Sequence, residues 1–160
     1  LKAFSRKSDG KVTSVAVMPV VNDAIELFAN KQIPIVLDCN LSSCESVRAN
    51  PIRLEQVLVN LISNAIDAVE QTPEPIILVS VSRAGEEVTI AVKDNGKGIL
   101  ADDIPHIFDP FYTRKEVGKG LGLGLSIAFN IIKDFGGSIR VNSQPQQGSE
   151  FVVHLEGART

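Results

Sequence analysis

The strongest pattern in the chain is a run of apolar residues at helical spacing between positions 51 and 70. At about 3.6 residues per turn these positions cover one broad face of a helix. They are Leu54, Val57, Leu58, Leu61, Ile62, Ala65, Ile66 and Val69. Pro51 suits a first helical turn, and Pro73 and Pro75 end the segment. The pattern predicts a helix from Pro51 to about Val69 or Glu70.

The remaining segments predict two shorter helices and a set of strands. Helical spacing covers residues 19–31, with Pro19 in the first turn, and residues 123–135, which stop at Gly136 and Gly137. A short helical turn is expected over residues 102–107, and a mobile basic loop over residues 112–119. The predicted strands are 11–17, 35–39, 46–49, 76–82, 88–93, 138–142 and 151–155. Residues 83–87 carry a hairpin signal, so the mixed order predicts an α+β fold whose helices pack on one face of a sheet.

Composition narrows the class of protein. The chain has 160 residues, 44% of them apolar, which fits one globular domain. A net charge of −3 argues against a basic nucleic-acid surface, so no nucleic-acid partner is expected. No apolar run approaches the roughly 18 residues that span a bilayer. Cys39 and Cys44, with only two histidines elsewhere, do not form a zinc pattern.

Residues 1–7 have the pattern of a helix tail, and residues 8–10 that of its stop. We therefore expect residues 1–9 to be the end of a preceding helix and residues 10–160 to be the domain itself. This expectation treats the chain as a fragment of a longer protein.

One polar group lies on the long helix. Asn60, Asn64 and Asp67 fall within about 60° of arc, opposite the apolar stripe. Asparagine is a weak helix former, so folding alone does not require two of them on one face. Their amide oxygens suit a Mg²⁺ ion that keeps most of its water and phosphate ligands. For the helix taken alone, a solvated polar face is the better interpretation.

A second candidate begins where a predicted strand ends. Asp94 follows an apolar run and precedes Gly96 and Gly98. A carboxylate only accepts hydrogen bonds, so it can recognise an amino group such as that of adenine, and glycines let backbone approach a flat ring. The alternative is an ordinary Asp-Asn-Gly turn, which is common.

The third candidate is a glycine-rich segment. Gly118, Gly120, Gly122 and Gly124 alternate and open directly into a predicted helix. Bare amides at a helix N-terminus bind phosphate through geometry and dipole, and Arg114, Lys115 and Lys119 can add positive charge. A flexible hinge is the alternative. The segment matches neither the P-loop nor the Rossmann pattern.

Taken together, these segments resemble the sequence boxes of sensor histidine kinases. Residues 60–68 resemble the N box, 94–99 the first glycine box, 107–111 the F box, 118–126 the second glycine box and 148–151 the last one. Five boxes in this order form a specific match over about residues 11–156. Within the family, the chain is most similar to C4-dicarboxylate-sensing and nitrogen-regulatory kinases.

The resemblance implies a Bergerat-type fold, a two-layer α/β sandwich with a mixed, mostly antiparallel sheet, that binds ATP and Mg²⁺. It implies that Asn64 ligates Mg²⁺, that Asp94 binds the adenine amino group, and that Asn60 and Asp67 support the phosphates. Lys115 would close over the phosphates and act with Asn60 and Asn64 in catalysis. The other implied nucleotide contacts are Gly96, Gly98, Ile99, Phe108, Phe111, Thr113, Gly118, Lys119, Gly120, Leu121, Gly122, Leu123, Gly124 and Ser149. Phe108 and Phe111 would anchor the lid, although an i, i+3 pair of core aromatics fits equally well.

The resemblance also implies the partners. The family's acceptor histidine lies in a preceding dimerisation domain, and neither His106 nor His154 fits its motif. A response regulator and a homodimeric parent protein in the inner membrane, with this domain in the cytoplasm, are expected. Gyrase-type relatives carry a glutamate base where Asn60 stands, so slow ATP hydrolysis is expected here. The alternatives are an ATPase or a serine kinase of the same fold, and a nucleotide-sensing scaffold without phosphotransfer.

Overall fold

The part of the chain that the structure describes forms two sheets and three α-helices. A computed structural model describes residues 10–40, 45–112 and 124–158. Its elements in chain order are β1 (Thr13–Ala16), α1 (Val17–Glu26), β2 (Ile35–Cys39), β3 (Ser46–Ala49), α2 (Pro51–Ala68), β4 (Ile77–Ala84), β5 (Glu87–Asp94), a 3₁₀ turn (Ile104–His106), α3 (Gly124–Asp134), β6 (Ser138–Ser143) and β7 (Ser149–Glu156). No helix in these ranges is long and apolar enough to cross a membrane.

The main sheet has five strands in the order β2-β4-β5-β7-β6. The β2–β4 pair is parallel, and the other three pairs are antiparallel. Strands β4, β5 and β7 bury alternate residues, as expected for a sheet covered on one face. The predicted sandwich with a mixed, mostly antiparallel sheet is therefore confirmed.

Helix α2 forms the centre of the covering layer. Leu54, Leu58 and Leu61 on its apolar face are at most 1% exposed, and full burial of each contributes about 1.5–3 kcal/mol. Helices α1 and α3 both contact α2. The core thus lies between these helices and the inner face of the sheet.

Several boundaries and one pairing differ from the sequence predictions. Helix α1 begins at Val17 and ends at Glu26, earlier than expected at both ends, because a turn replaces its last predicted residues. The hairpin turn narrows to Gly85 and Glu86, since β4 and β5 extend towards it. Strands β1 and β3 pair with each other in a separate sheet, which local patterns did not predict.

Asn50 connects the start of α2 to the segment that precedes β1. Its side-chain oxygen accepts the Arg53 amide at 3.0 Å, and its side-chain nitrogen donates to the Lys11 carbonyl at 3.1 Å. The residue is 7% exposed. Asn50 therefore caps the central helix and holds the segment that precedes β1.

Replacing Asn50 should destabilise the whole domain. Asn50→Ala removes the helix cap and leaves the Lys11 carbonyl unpaired, so the free energy of unfolding should fall by about 1–3 kcal/mol in urea titrations. Asn22→Ala, at an exposed position of α1, is the matched control and should change it by less than about 0.5 kcal/mol. Equal effects of the two substitutions would contradict the role assigned to Asn50.

Candidate active site

Asp94 is the most deeply buried acidic group of the candidate site. It ends β5 and is 3% exposed. One carboxylate oxygen accepts the Gly96 amide at 2.8 Å, and the Ser149 amide also donates to the carboxylate. Burial raises the pKa of Asp94, and the two amide hydrogen bonds offset part of that rise. The result is a fixed acceptor whose position is determined by backbone on both sides.

The loop after Asp94 packs tightly against the end of α2. A Cβ on Gly96 would lie 2.2 Å from the Ala68 carbonyl oxygen, closer than real atoms approach. The Lys97 amide donates to the same oxygen at 3.1 Å. Contact between two protein segments therefore accounts for the small residue at position 96. The expectation that Gly96 gives access to a flat ring is not needed to explain it.

The same loop also rests on the β6–β7 turn. Gly98 has φ +72°, and a Cβ there would lie 2.0 Å from the Gln144 carbonyl oxygen. The Gln146 amide donates to the Lys97 carbonyl at 2.6 Å. Backbone from two turns is therefore in direct contact beside Asp94, which only glycine at position 98 permits.

Asn95 holds the outer side of this loop. Its side-chain oxygen accepts the Ile76 amide at 3.0 Å, and its side-chain nitrogen donates to the Glu74 carbonyl at 2.8 Å. Asn95 thus ties the loop to the segment that enters β4. The sequence showed it only as part of a turn.

The polar side chains of α2 line the edge of its buried face. Asn60, Asn64 and Asp67 are all half-buried, so they lie at the border of the core rather than opposite it as predicted. The Asn60 side-chain nitrogen donates to the Gly124 carbonyl at 3.0 Å. In the part of the chain that the structure describes, the half-buried Asn64 amide makes no hydrogen bond. An amide oxygen is a ligand type that suits Mg²⁺.

Helix α2 brings the two ends of the candidate site together. Asn60 contacts the first residue of α3, and Ala68 contacts the loop that carries Gly96. Eight residues separate these points, about 12 Å along a helix. Helix α2, which carries the N box, therefore contacts part of the first glycine box at one end and part of the second at the other, although the three boxes are far apart in sequence.

The two F-box aromatics have different surroundings. The Phe108 ring stacks on Phe129 at 5.0 Å and meets Phe151 edge-on at 6.3 Å. Phe111 is 69% exposed with φ +67°. A core role for both rings is therefore wrong, because the Phe111 side chain is exposed.

The remaining predicted site residues divide into two groups. Ile99 follows the loop and donates its amide to Ser143 Oγ at 2.8 Å, and Ser149 is buried beside Asp94. The others lie outside the described residues; they are Thr113, Lys115, Gly118, Lys119, Gly120, Leu121, Gly122 and Leu123.

Ser143 was missed by the sequence predictions, although a signal existed. Ile139, Val141 and Ser143 occupy successive inward positions of β6. A serine at the next inward position of an otherwise apolar row indicates a buried polar contact. The residue became a candidate only when its neighbours across the sheet were known.

Comparison with known proteins identifies the class. Residues 49–159 match the family model described as "Histidine kinase-, DNA gyrase B-, and HSP90-like ATPase", and the chain belongs to this family. The catalytic domain of histidine kinase ThkA, a solved structure, is 28% identical with a TM-score of 0.79, over 91% of this chain and 95% of that one. The class that the fold and the site define is therefore that of histidine kinase catalytic domains.

Two relatives narrow the likeness within that class. The C4-dicarboxylate transport sensor protein DctB of Rhizobium meliloti strain 1021 is 40% identical over 162 residues, 99% of this chain and 25% of that protein. The sensor histidine kinase ZraS of Escherichia coli K12 is 39% identical over 140 residues, 85% of this chain and 29% of that protein. The expected similarity to C4-dicarboxylate-sensing kinases is confirmed. The chain spans between a quarter and a third of the length of these relatives.

Removing the charge of Asp94 should change how stability depends on pH. A raised pKa in the folded state means that wild-type stability falls as pH rises through that pKa, because the buried carboxyl must ionise. The neutral Asp94→Asn variant lacks this loss. Its free energy of unfolding, compared with wild type, should therefore increase as pH rises from about 4, the ordinary pKa of an aspartate, through the raised pKa of Asp94 in urea titrations.

Asn22→Ala, at an exposed position of α1, is the matched control, because it changes no titratable group. Its difference from wild type should stay flat over the same pH range. A flat difference for Asp94→Asn as well would contradict a raised pKa at Asp94.

Proposed function

We propose that this chain binds Mg-ATP and donates the γ-phosphoryl group to a histidine in the dimerisation domain of a sensor histidine kinase. The observation that carries the proposal is Asp94, a buried carboxylate fixed by two backbone amides beside the central helix. Folding does not require a charge at that position, since burial there opposes ionisation. A ligand with an amino group explains its presence.

Asp94 would accept a hydrogen bond from the adenine amino group. An ionised carboxylate has only acceptor sites, so it favours an amino group over a carbonyl at that place. Gly96, Gly98, Ile99 and Ser149 would shape the base pocket, because all four lie in the segments that surround Asp94.

The phosphate end would lie along α2 towards α3. Asn64 would contribute its amide oxygen to Mg²⁺, which neutralises phosphate charge when it is bound. Asn60 and Asp67 would support the phosphates from the same helix edge. Gly124 begins α3, whose N-terminal amides and dipole favour a phosphate.

The segment between Phe108 and Gly124 would complete the site. Lys115 would add charge close to the phosphates and take part in transfer. Further contacts are proposed for Phe108, Phe111, Thr113, Gly118, Lys119, Gly120, Leu121, Gly122, Leu123 and Gly124. These assignments rest on the resemblance of the sequence boxes.

In phosphoryl transfer, this domain would mainly position the ATP and would form no covalent intermediate itself. Phosphoryl transfer is accelerated mainly by alignment and charge neutralisation. Asn60 is not a useful base near neutral pH, so water is poorly activated and the phosphoryl group is kept for a protein nucleophile. Neither His106 nor His154 fits the motif around the family's acceptor histidine, so the acceptor would lie in the dimerisation domain.

The whole protein would be a homodimeric kinase in the inner membrane. We propose that residues 1–9 end the dimerisation helix, that residues 10–160 form the ATP-binding domain in the cytoplasm, and that a response regulator receives the phosphoryl group. The relatives named as sensor proteins support this arrangement.

Nucleotide binding tests the first half of the proposal. In calorimetry, Asn64→Ala should weaken Mg-ATP binding by roughly tenfold or more, about 1.4 kcal/mol, because a metal ligand is lost. Asn142→Ala, at an exposed position of β6, should leave the dissociation constant unchanged. Absence of any binding heat for the folded wild-type chain at millimolar Mg-ATP would falsify the proposal.

Labelling with γ-³²P-ATP tests the second half. The chain alone should not label itself, and its ATP hydrolysis should stay below about 1 s⁻¹, the low end for ordinary enzymes. Adding the separate dimerisation domain of the full-length protein should restore labelling on that domain. Self-labelling of the chain alone, or rapid hydrolysis, would favour a serine kinase or an ATPase of the same fold.

A further inference from the structure

Ser143 lies in the same row of the sheet as Asp94. It ends β6 and faces Ser149 on β7, and Ser149 faces Asp94 on β5. Cross-strand partners point to the same face of a sheet, and Asp94 and Ser149 are both buried under the helices. Three polar side chains therefore sit side by side in a row that continues into Ile77 of β4.

The Ser143 hydroxyl is the centre of a small hydrogen-bond network. Its oxygen accepts the Ile99 amide at 2.8 Å, and it donates to the Gly148 carbonyl at 3.0 Å. Ser149 Oγ lies 2.8 Å away. A hydroxyl has one proton, so with that proton on Gly148 it is Ser149 that donates to Ser143. All three bonds can then form at once.

This network connects the two backbone segments that fix Asp94. Ile99 directly follows the loop whose Gly96 amide donates to the carboxylate. Gly148 and Ser149 belong to the other segment, in which the Ser149 amide donates to the same carboxylate. A Cβ on Gly148 would lie 2.0 Å from the Asp94 carbonyl oxygen, so the two segments are in backbone contact. One hydroxyl thus holds both amide donors in register.

A second hydroxyl pair in the same sheet provides a comparison. Ser82 and Thr89 are cross-strand partners whose hydroxyl oxygens are 2.9 Å apart. They alternate with buried residues of β4 and β5, so they lie on the sheet face away from the helices. Among residues 10–40, 45–112 and 124–158, the side chains of this pair join only β4 to β5, whereas Ser143 bridges the two turns beside Asp94.

We propose that Ser143 is a positioning residue that sets the preference for adenine over a 6-oxo purine. The inference rests on the proposed function, because Ser143 acts through the Asp94 carboxylate. An amino group at C6 donates to a carboxylate held at a fixed place, and a carbonyl oxygen there meets only acceptor atoms. If the two amide donors lose their register, the carboxylate shifts and the favourable contact with the amino group weakens. A 6-oxo purine makes no favourable contact with the carboxylate, so the same shift should change its binding free energy less.

The test compares the binding of Mg-ATP and Mg-ITP, which differ in the group at C6, by calorimetry on the 160-residue chain. Ser143→Ala should weaken ATP binding by about tenfold, about 1.4 kcal/mol, and ITP binding by less than about twofold. The ATP-to-ITP preference should therefore fall by severalfold. Ser143→Thr keeps the hydroxyl and should restore most of the preference. Ser82→Ala, the matched control, should leave both affinities unchanged.

The outcomes separate this inference from the proposed function. If wild type binds ATP more tightly than ITP but Ser143→Ala weakens both equally, Ser143 is merely structural and the inference is overturned. The same holds if Ser143→Thr fails to restore the preference in a protein that melts like wild type. If wild type binds neither nucleotide, the proposed function itself fails.

Discussion

The candidate site depends on close backbone contact among three segments around Asp94. Gly96 lies against the last turn of α2, Gly98 against the β6–β7 turn, and Gly148 against the Asp94 carbonyl. At each point a Cβ would lie within about 2.2 Å of a carbonyl oxygen, so no larger residue fits without moving a segment. The carboxylate gains two amide partners only because these segments are so near. The same close packing of the three segments therefore buries the Asp94 carboxylate and provides its two amide hydrogen bonds.

Helix α2 connects this constraint to the stability of the domain. One face contributes six side chains to the core, and its edge carries Asn60, Asn64 and Asp67. Asn50 caps its first turn, and the Lys97 amide donates a hydrogen bond to the Ala68 carbonyl in its last turn. A change in the packing of the helix would thus move both the asparagines and the loop that follows Asp94. The half-buried position of the asparagines also matters, because partial removal from water strengthens a polar contact with a bound ligand.

The Asn60 side chain connects two helices, and its amide group cannot act as a general base. Its side-chain nitrogen binds the Gly124 carbonyl, so it fixes the start of α3 against α2. Its oxygen makes no hydrogen bond among the described residues, and an amide is not a base. The same residue that aligns two helices therefore supplies no activation of water. Under the proposed function, helix alignment without activation of water would suit a domain that passes a phosphoryl group to another protein group.

The sequence by itself determined the elements and the family. Periodicity located α2 and nearly all strands, since one buried face imposes a regular apolar pattern, and the spacing of the boxes indicated a histidine kinase domain. Tertiary structure alone decided the pairing of β1 with β3 and the row from Ser143 to Asp94. Each of these depends on contacts between residues distant in the chain. A local pattern records which face of an element is buried, but not which segment covers it.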